Sequence, residues 1–342
     1  MKYISVDNVE PGQHLGKSVY SSNGTVLLSE GVQLTVFMIN TLNRIGVTML
    51  YIKDPDFADV DTTDILDEAT KQAVFKEMND TFEAVRSGKD WSTKKISVSA
   101  DRILSDVLAN PELLVQLTDI RTADNQQYVH ATNVCLISIL IGMNMGLNMF
   151  QLKDLAIGAM LHDVGKVGLD SLDEALGGLK GHHTWRGFEV LKSKREFNLL
   201  IAHVALQHHE RLDGKGLPRA LDAHEIHQFA RIVAVADTFD NLITGRNGKG
   251  LLPHEACEEM MAMSEKQLDR DVLIQFNRII SVYPNGTSVR LSTRETGVVV
   301  RQHRGLPGRP VVRVIHGSGD DMEVQEVDLA VHTTVFIEAV LA

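Results

Sequence analysis

Apolar positions along the chain change period twice, and each change marks a unit. Up to about residue 52 the apolar runs are short. Turn signals at Val9-Glu10-Pro11-Gly12-Gln13 and Ser22-Asn23-Gly24 separate them, which predicts a small, mostly β unit. Within it Val36 to Leu42 reads as a short helix and Val47 to Ile52 as a final strand. Asp54 to Asp67 is acidic and carries Pro55, as a linker would. From Leu66 to about Leu117 the pattern is helical and more polar, with a break at Ser87-Gly88-Lys89. Between Arg121 and Val282 helical spacing recurs in Val129 to Met143, Leu152 to Leu161, His183 to Phe197, Leu199 to His209, Ile226 to Ile243, Pro253 to Met263 and Asp269 to Val282. After Pro284-Asn285-Gly286 the chain turns β-like again, in Ser288 to Leu291, Thr296 to Arg301, Val311 to Ile315 and Val335 to Leu341. The reading is a mainly α protein in four parts. A mostly-β N-terminal domain (1–60) and a helical linker (61–120) precede an all-helical core (121–285), and a β appendage (286–342) follows.

Composition narrows the setting. A chain of 342 residues can hold one sizeable core with small accessory units. The longest apolar stretch, Val134 to Ile141, falls far short of the ~20 residues of a membrane span, so no span is expected. The first residues lead straight into strand-like sequence without the pattern of a signal peptide. Cys135 and Cys257 are the only cysteines and suggest neither a disulfide framework nor a zinc knuckle. A cytoplasmic, reduced setting is the expectation. A net charge of −11 argues against duplex nucleic acid as a partner, while leaving room for a small anion held by local positive charge.

The chemistry-bearing residues are concentrated. Nine of the fourteen histidines fall between His130 and His227. His162-Asp163 lies at the end of one helical run, and His208-His209-Glu210 ends another before the Gly-rich turn Asp213-Gly214-Lys215-Gly216-Leu217-Pro218. Imidazole nitrogen with carboxylate oxygen suits Fe, Mn or Zn better than Mg or Ca. Adjacent helical residues diverge by ~100°, so one such pair can approach two metals from different sides, and one carboxylate can hold both. Asp237 sits in the apolar run Ile232 to Ala236, where a buried carboxylate is costly unless paired or metal-bound. His182, His203, His224 and His227 read as surface groups or groups behind the ligands.

These residues resemble the HD superfamily of metal-dependent phosphohydrolases. The order His130, His162-Asp163, Asp237 carries that likeness. His183 with Gly187, then His208-His209-Glu210, Asp213-Gly214 and Gly216-Leu217-Pro218, resemble its HD-GYP branch, whose members degrade cyclic di-GMP. The resemblance spans about residues 121–282 and implies an HD-type helical bundle. The first fifty residues resemble a small domain often found ahead of such modules. By position, the resemblance implies one metal held by His130, His162, Asp163 and Asp237. A second would be held by Asp163, His183, His208 and His209, with Asp163 bridging. Three-metal members carry a glutamate where Gln126 stands, so two divalent ions are expected, Fe or Mn before Zn, Ni or Co. Lys166 matches the family's HDxGK lysine. Arg246 and Lys249 match residues that contact substrate phosphate, although Asn247 and Gly248 replace the usual proline and tyrosine between them. Leu217 replaces the tyrosine of the GYP motif, a departure that bears on substrate affinity or partner contacts rather than on metal binding.

The resemblance therefore implies hydrolysis of cyclic di-GMP to linear pGpG, or by a second cycle to GMP, with a hydroxide shared by the two metals as nucleophile. Asp163 and Lys166 are the expected catalytic groups. Arg246, Lys249 and Lys166 are the expected contacts to substrate. Two other readings compete: a cyclic di-GMP sensor or interaction protein, and an HD phosphohydrolase for another cyclic dinucleotide or nucleotide. Protein partners are expected at the Gly-Leu-Pro loop or the N-terminal domain. The helices between Leu66 and Leu117 read either as a homodimer interface or as a solvated connector.

Overall fold

The computed structural model describes residues 1–110, 112–117, 119–168, 178–245, 250–316 and 323–341. The N-terminal unit comprises strands β1 (Lys2–Ser5), β2 (His14–Leu15), β3 (Val19–Tyr20), β4 (Val26–Leu28), helix α1 (Val36–Arg44) and strand β5 (Met49–Lys53). β5 is central, with β1 antiparallel on one edge and β2 on the other; β3 and β4 form a separate hairpin. Thr35 caps α1 by accepting the amide N–H of Met38. The helix turns Ile39 and Leu42 onto a small core with Leu15, Leu34 and Leu50, and Ile120 joins that core from the helical side.

Helices α2 (Glu68–Arg86) and α3 (Thr93–Ala109) start at Asp67 and Ser92, whose side-chain oxygens accept from Thr70 and Lys95 amides. Between them Gly88 takes a φ of 65°, which ends α2 without the Cβ penalty another residue would carry. Neither helix is a solvated connector. Val74, Phe75, Met78 and Phe82 of α2, with Ile96, Ala100, Ile103 and Val107 of α3, lie in the main core. Burial of each large apolar side chain contributes ~1.5–3 kcal/mol.

That core is built around α4 (Gln126–Asn144). Its side chains are buried from Tyr128 to Gly142 except for the half-buried His130, as expected of a helix apolar on all sides. α5 (Met149–Leu161) begins in a reciprocal capping box between Asn148 and Gln151. There follow α6 (Gly178–Gly181), α7 (His183–Lys192), α8 (Leu199–Gln207), α9 (Gln228–Thr244), α10 (Pro253–Ala262) and α11 (Arg270–Asn277). α4 packs between α5 and α9, α5 packs on α8, and α8 packs on α7. Among the described residues, no helix is long and apolar enough to cross a membrane.

Two helices end earlier than their apolar pattern suggests. α7 stops at Lys192 because the chain must turn before Asn198, which caps α8. α11 stops at Asn277 because Ile279 and Ser281 pair as an extended segment with Val115: the Val115 amide donates to Ile279 O and the Ser281 amide to Val115 O.

Strands β6 (Ser288–Leu291), β7 (Thr296–Arg301), β8 (Val311–His316), β9 (Glu323–Asp328) and β10 (Ile337–Leu341) form one antiparallel sheet in the order β10-β6-β7-β8-β9. β9, Glu-Val-Gln-Glu-Val-Asp, is an exposed edge strand with little apolar content, so its sequence gave no strand signal. The sheet is tied to the N-terminal unit by a Tyr3–Thr287 bridge and by Arg313, whose two guanidinium nitrogens donate to Asp59 at 2.7 and 2.8 Å.

Candidate metal centre

The packing of α4, α5, α7, α8 and α9 brings the seven expected ligands to one place. His130 comes from the first turns of α4, His162 and Asp163 from the end of α5, His183 from the start of α7, His208 and His209 from the end of α8, and Asp237 from the middle of α9. One close approach makes this possible. A Cβ on Gly165 would lie 1.9 Å from the carbonyl oxygen of His183 and 2.5 Å from the amide nitrogen of Gly187, so only glycine lets α7 lie against the turn after Asp163.

Asp163 is the hinge of the arrangement. Its Oδ2 faces His162 Nε2 at 3.5 Å and His130 Nε2 at 3.8 Å. Its Oδ1 faces His183 Nε2 at 3.4 Å and His208 Nε2 at 3.5 Å. The two oxygens of one half-buried carboxylate thus address two separate pairs of imidazoles. Asp237 Oδ1 completes the first set, 3.2 Å from His130 Nε2 and 3.6 Å from His162 Nε2. His209 completes the second: one ligand atom each from Asp163, His183, His208 and His209 lies within 4.8 Å of the others, as holds also for His130, His162 and Asp163.

The donor chemistry fits metal. His162 Nδ1 is 2.7 Å from the Ala159 carbonyl, and His208 Nδ1 is 2.9 Å from the Ala205 carbonyl. A carbonyl only accepts, so both Nδ1 atoms carry the proton and both Nε2 atoms present a lone pair inward. His130 Nδ1 is fixed in the same sense by Asp240 Oδ2 at 2.7 Å. Asp163 Oδ1 and His208 Nε2 are buried and make no hydrogen bond among the described residues. Bringing buried acceptors this close is costly unless a cation lies between them. Two donors each ~2.1 Å from one ion lie roughly 3.0–3.4 Å apart, close to the separations found here.

Electrostatics point the same way. Burial disfavours charge on His130, but its hydrogen bonds to Asp237 and Asp240 outweigh that and raise its pKa to about 10. Burial opposes the charge of Asp163 too, yet His162, His208 and Lys166 hold its carboxyl well below the usual range. Asp237 is held down similarly by His130 and His162. Burial and the adjacent His208 push His209 down to about 3. The cluster concentrates carboxylate oxygens beside imidazole nitrogens, the donor combination a divalent cation neutralises.

The sequence reading missed the groups behind the ligands. Asp240, fully buried one turn after Asp237, accepts from His130, from Asn133 at 3.0 Å and from both terminal nitrogens of Arg121, at 3.0 and 2.5 Å. Its position, three residues beyond Asp237 in the same apolar run, was a readable sign. Arg121 gave none, because its partner lies 119 residues away. Asn241 donates to Asp237 Oδ1 at 2.7 Å. The Glu210 carboxylate accepts the amides of Arg219 and Leu221 at 2.8 and 3.0 Å and anchors the segment that follows Gly216-Leu217-Pro218. The Leu217 amide donates to His209 O at 3.0 Å, so the loop is pinned to the backbone of an expected ligand. The Leu217 side chain is 47% exposed.

The remaining expected residues are distributed as follows. Lys166 Nζ lies 2.5 Å from Asp163 Oδ2, with its side chain about half exposed (48%), and His209 is the most exposed of the seven expected ligands. Gln126 is exposed on the first turn of α4. His182 stands behind His183 (4.5 Å between ring centroids), and its Nδ1 lies 2.8 Å from Thr184 Oγ1. Arg246 and Lys249 lie outside the described residues.

Comparison with known proteins agrees with this geometry. Residues 112–272 match the family described as HD domain, and residues 288–342 match a KOW domain associated with HD domain. The chain is similar to cyclic di-GMP phosphodiesterase PA4108 of Pseudomonas aeruginosa, at 30% identity over 72% of this chain and 62% of the relative. It is also similar to a cyclic di-GMP phosphodiesterase of Thermotoga maritima, at 33% identity over 49% of this chain and 48% of the relative. The chain therefore spans less than two thirds of either relative. Among solved structures, Bd1817, an HDG"Y"P protein from Bdellovibrio bacteriovorus, superposes with a TM-score of 0.52 at 18% identity, covering 80% of this chain and 97% of that one. That likeness concerns the fold.

Proposed function

We propose that the chain is an HD-domain protein of the HD-GYP branch and a metal-dependent phosphodiesterase that hydrolyses cyclic di-GMP to linear pGpG, or on to GMP. The observation that carries this reading is Asp163, whose two oxygens face two sets of imidazoles. In this reading His130, His162 and Asp237 hold one divalent ion and His183, His208 and His209 the other. Asp163 holds both. Fe and Mn suit this nitrogen and oxygen donor set, and Zn, Ni and Co are compatible with it. When bound, such ions supply Lewis acidity and acidify water enough for it to attack phosphorus near neutral pH.

The protein's own groups do the rest. Asp240 and the Ala159 and Ala205 carbonyls fix the imidazole tautomers, so that no reorientation is needed when substrate arrives. Lys166, half exposed and anchored on Asp163, lies where its ammonium can meet a phosphoryl oxygen or give a proton to the departing ribose 3′ oxygen. Arg246 and Lys249 are assigned to the substrate phosphates. The side where His209 and Lys166 are exposed is the route for substrate, and the Gly-Leu-Pro loop borders it through its bond to His209.

A second reading, a cyclic di-GMP sensor, is favoured by one feature: Leu217 has neither the hydroxyl nor the aromatic face of the usual tyrosine. Chromatographic product analysis separates the two. Protein loaded anaerobically with Fe(II) or Mn(II) is incubated with cyclic di-GMP and with 3′3′-cyclic GMP-AMP. Formation of pGpG or GMP from the first supports the phosphodiesterase. Stoichiometric binding without turnover supports the sensor, and turnover of only the second substrate changes the assignment.

A further inference from the structure

The stretch Asp119-Ile120-Arg121-Thr122-Ala123-Asp124-Asn125 leads directly into α4, and its residues are divided between two parts of the molecule. Arg121 donates to Asp240, which fixes the His130 ring. The N-terminal unit takes up most of the others. The Ile120 side chain is buried in that unit's small core. The Ala123 amide donates at 2.8 Å to the carbonyl of Ile45, at the end of α1. The fully buried Asn125 donates its side-chain amide to Tyr20 O at 2.8 Å, and the Asp124 carboxylate accepts the Ser22 amide at 2.9 Å. Asp119 pairs with Lys71, Lys71 with Asp64 at 2.7 Å, and Asp64 with Lys17 of the unit at 2.5 Å.

The same stretch also starts α4. Thr122 O accepts the Gln126 amide at 3.1 Å, and Asn125 O accepts the Val129 amide at 3.0 Å, one residue before His130. His130 is thus held by its ring, through Asp240, and by its backbone, through the first helical turn, and both supports run through residues 119–125. First turns of helices open more easily than helix middles. A ligand on a first turn therefore needs a clamp from outside the helix, and the N-terminal unit is that clamp. The other half of the centre stands on different supports. His183 starts α7, which packs on α8 and on the turn after Asp163, and His208 and His209 end α8, which packs on α5.

We infer that the N-terminal unit is a built-in control on one half of the metal centre. Seated on residues 119–125, it keeps His130 in place to bind. Unseated, it loosens the half formed by His130, His162 and Asp237 and leaves the half formed by His183, His208 and His209 intact. Ile120 is a positioning residue, acting on His130 through the segment it anchors. Groups that orient a metal ligand from behind are worth ~10–100-fold in affinity, which sets the scale of the control. The inference rests on the metal centre assigned above.

The test is Mn(II) retention by the full chain in Ile120→Ala and Ile120→Asn, with Ile120→Val as the conservative control. Loaded protein is challenged with rising chelator while ions per chain are counted and the electron paramagnetic resonance spectrum is followed. Ile120→Ala should release one ion at a chelator concentration about tenfold below that needed by wild type, its spectrum passing from a coupled pair to an isolated ion. The second ion should leave at the wild-type concentration, and Ile120→Val should match wild type throughout. In metal-free protein, hydrogen exchange over residues 119–130 should quicken in Ile120→Ala while that over 199–209 stays unchanged. Both ions lost together at one lower concentration, or wild-type retention in both Ile120→Ala and Ile120→Asn, would overturn the inference and leave the metal centre standing. A wild-type chain that holds no Mn(II) would overturn the metal centre itself. Unchanged exchange over 119–130 would overturn the clamp whether or not metal binds.

Discussion

Asp240 touches none of the proposed substrate, yet its loss should be felt directly at the metals. It is fully buried and accepts from His130, Asn133 and both ends of the Arg121 guanidinium. In Asp240→Leu the guanidinium is stranded. Breaking a buried pair costs ~3–5 kcal/mol, and since the Arg121 side chain keeps 18% of its exposure, about 3 kcal/mol is the expected loss. Separately, His130 loses the acceptor that fixes its ring, a kind of change that typically lowers metal affinity about 10–100-fold. The two effects can be told apart. Adding Arg121→Met removes the stranded charge and should restore much of the stability, because the pair is replaced by apolar groups. It should not restore metal affinity, because His130 still has no partner. Urea melts of metal-free protein report the first quantity, and Mn(II) competition against a chromophoric chelator reports the second. If Asp240→Leu binds Mn(II) within about twofold of wild type, Asp240 does not orient His130. If affinity returns together with stability in the double variant, its role is only to hold the fold.

Three other outcomes follow from the same geometry. Gly165→Ala places a Cβ against the His183 carbonyl. It should cost ~1–3 kcal/mol and empty the His183, His208 and His209 side before the other, as melting and metal analysis would show. In metal-free protein the His130 pKa is raised to about 10, so between the unperturbed 6.5 and that value the ring keeps a proton that metal must displace. Mn(II) affinity should therefore rise with pH across that window, by up to about tenfold per unit, with protons released on binding; a flat profile would contradict the imidazolium. Lys166→Met should retain metal but lower kcat toward cyclic di-GMP by ~10²-fold or more; unchanged kcat would exclude Lys166 from proton transfer.

Much of the helical core was legible because α4, α5 and α8 are apolar runs too long and too regular to be anything else, and because imidazole and carboxylate are conspicuous at their ends. The candidate ligands were local information: His162-Asp163 and His208-His209 stand out as adjacent pairs. What supports the ligands was not. Arg121 meets Asp240 across 119 residues, and neither has a neighbour in sequence that reveals the other. The segment 61–120 looked like a connector because half of each helix is polar. Its apolar halves, Val74 to Phe82 and Ile96 to Val107, are nonetheless long enough to enter the main core. Strand β9 was invisible because an exposed edge strand needs no alternating apolar pattern to pair with β8.

The central claim is that Asp163 joins two metals in one site, and metal content per chain tests it most directly. Wild type and Asp163→Asn would be reconstituted anaerobically with Mn(II), freed of excess metal and analysed by mass spectrometry of the element against protein concentration. The account expects two ions per wild-type chain and the loss of both in Asp163→Asn, because neither set of imidazoles keeps its shared anionic ligand. A single ion in the wild type, or two retained by the variant, would contradict it.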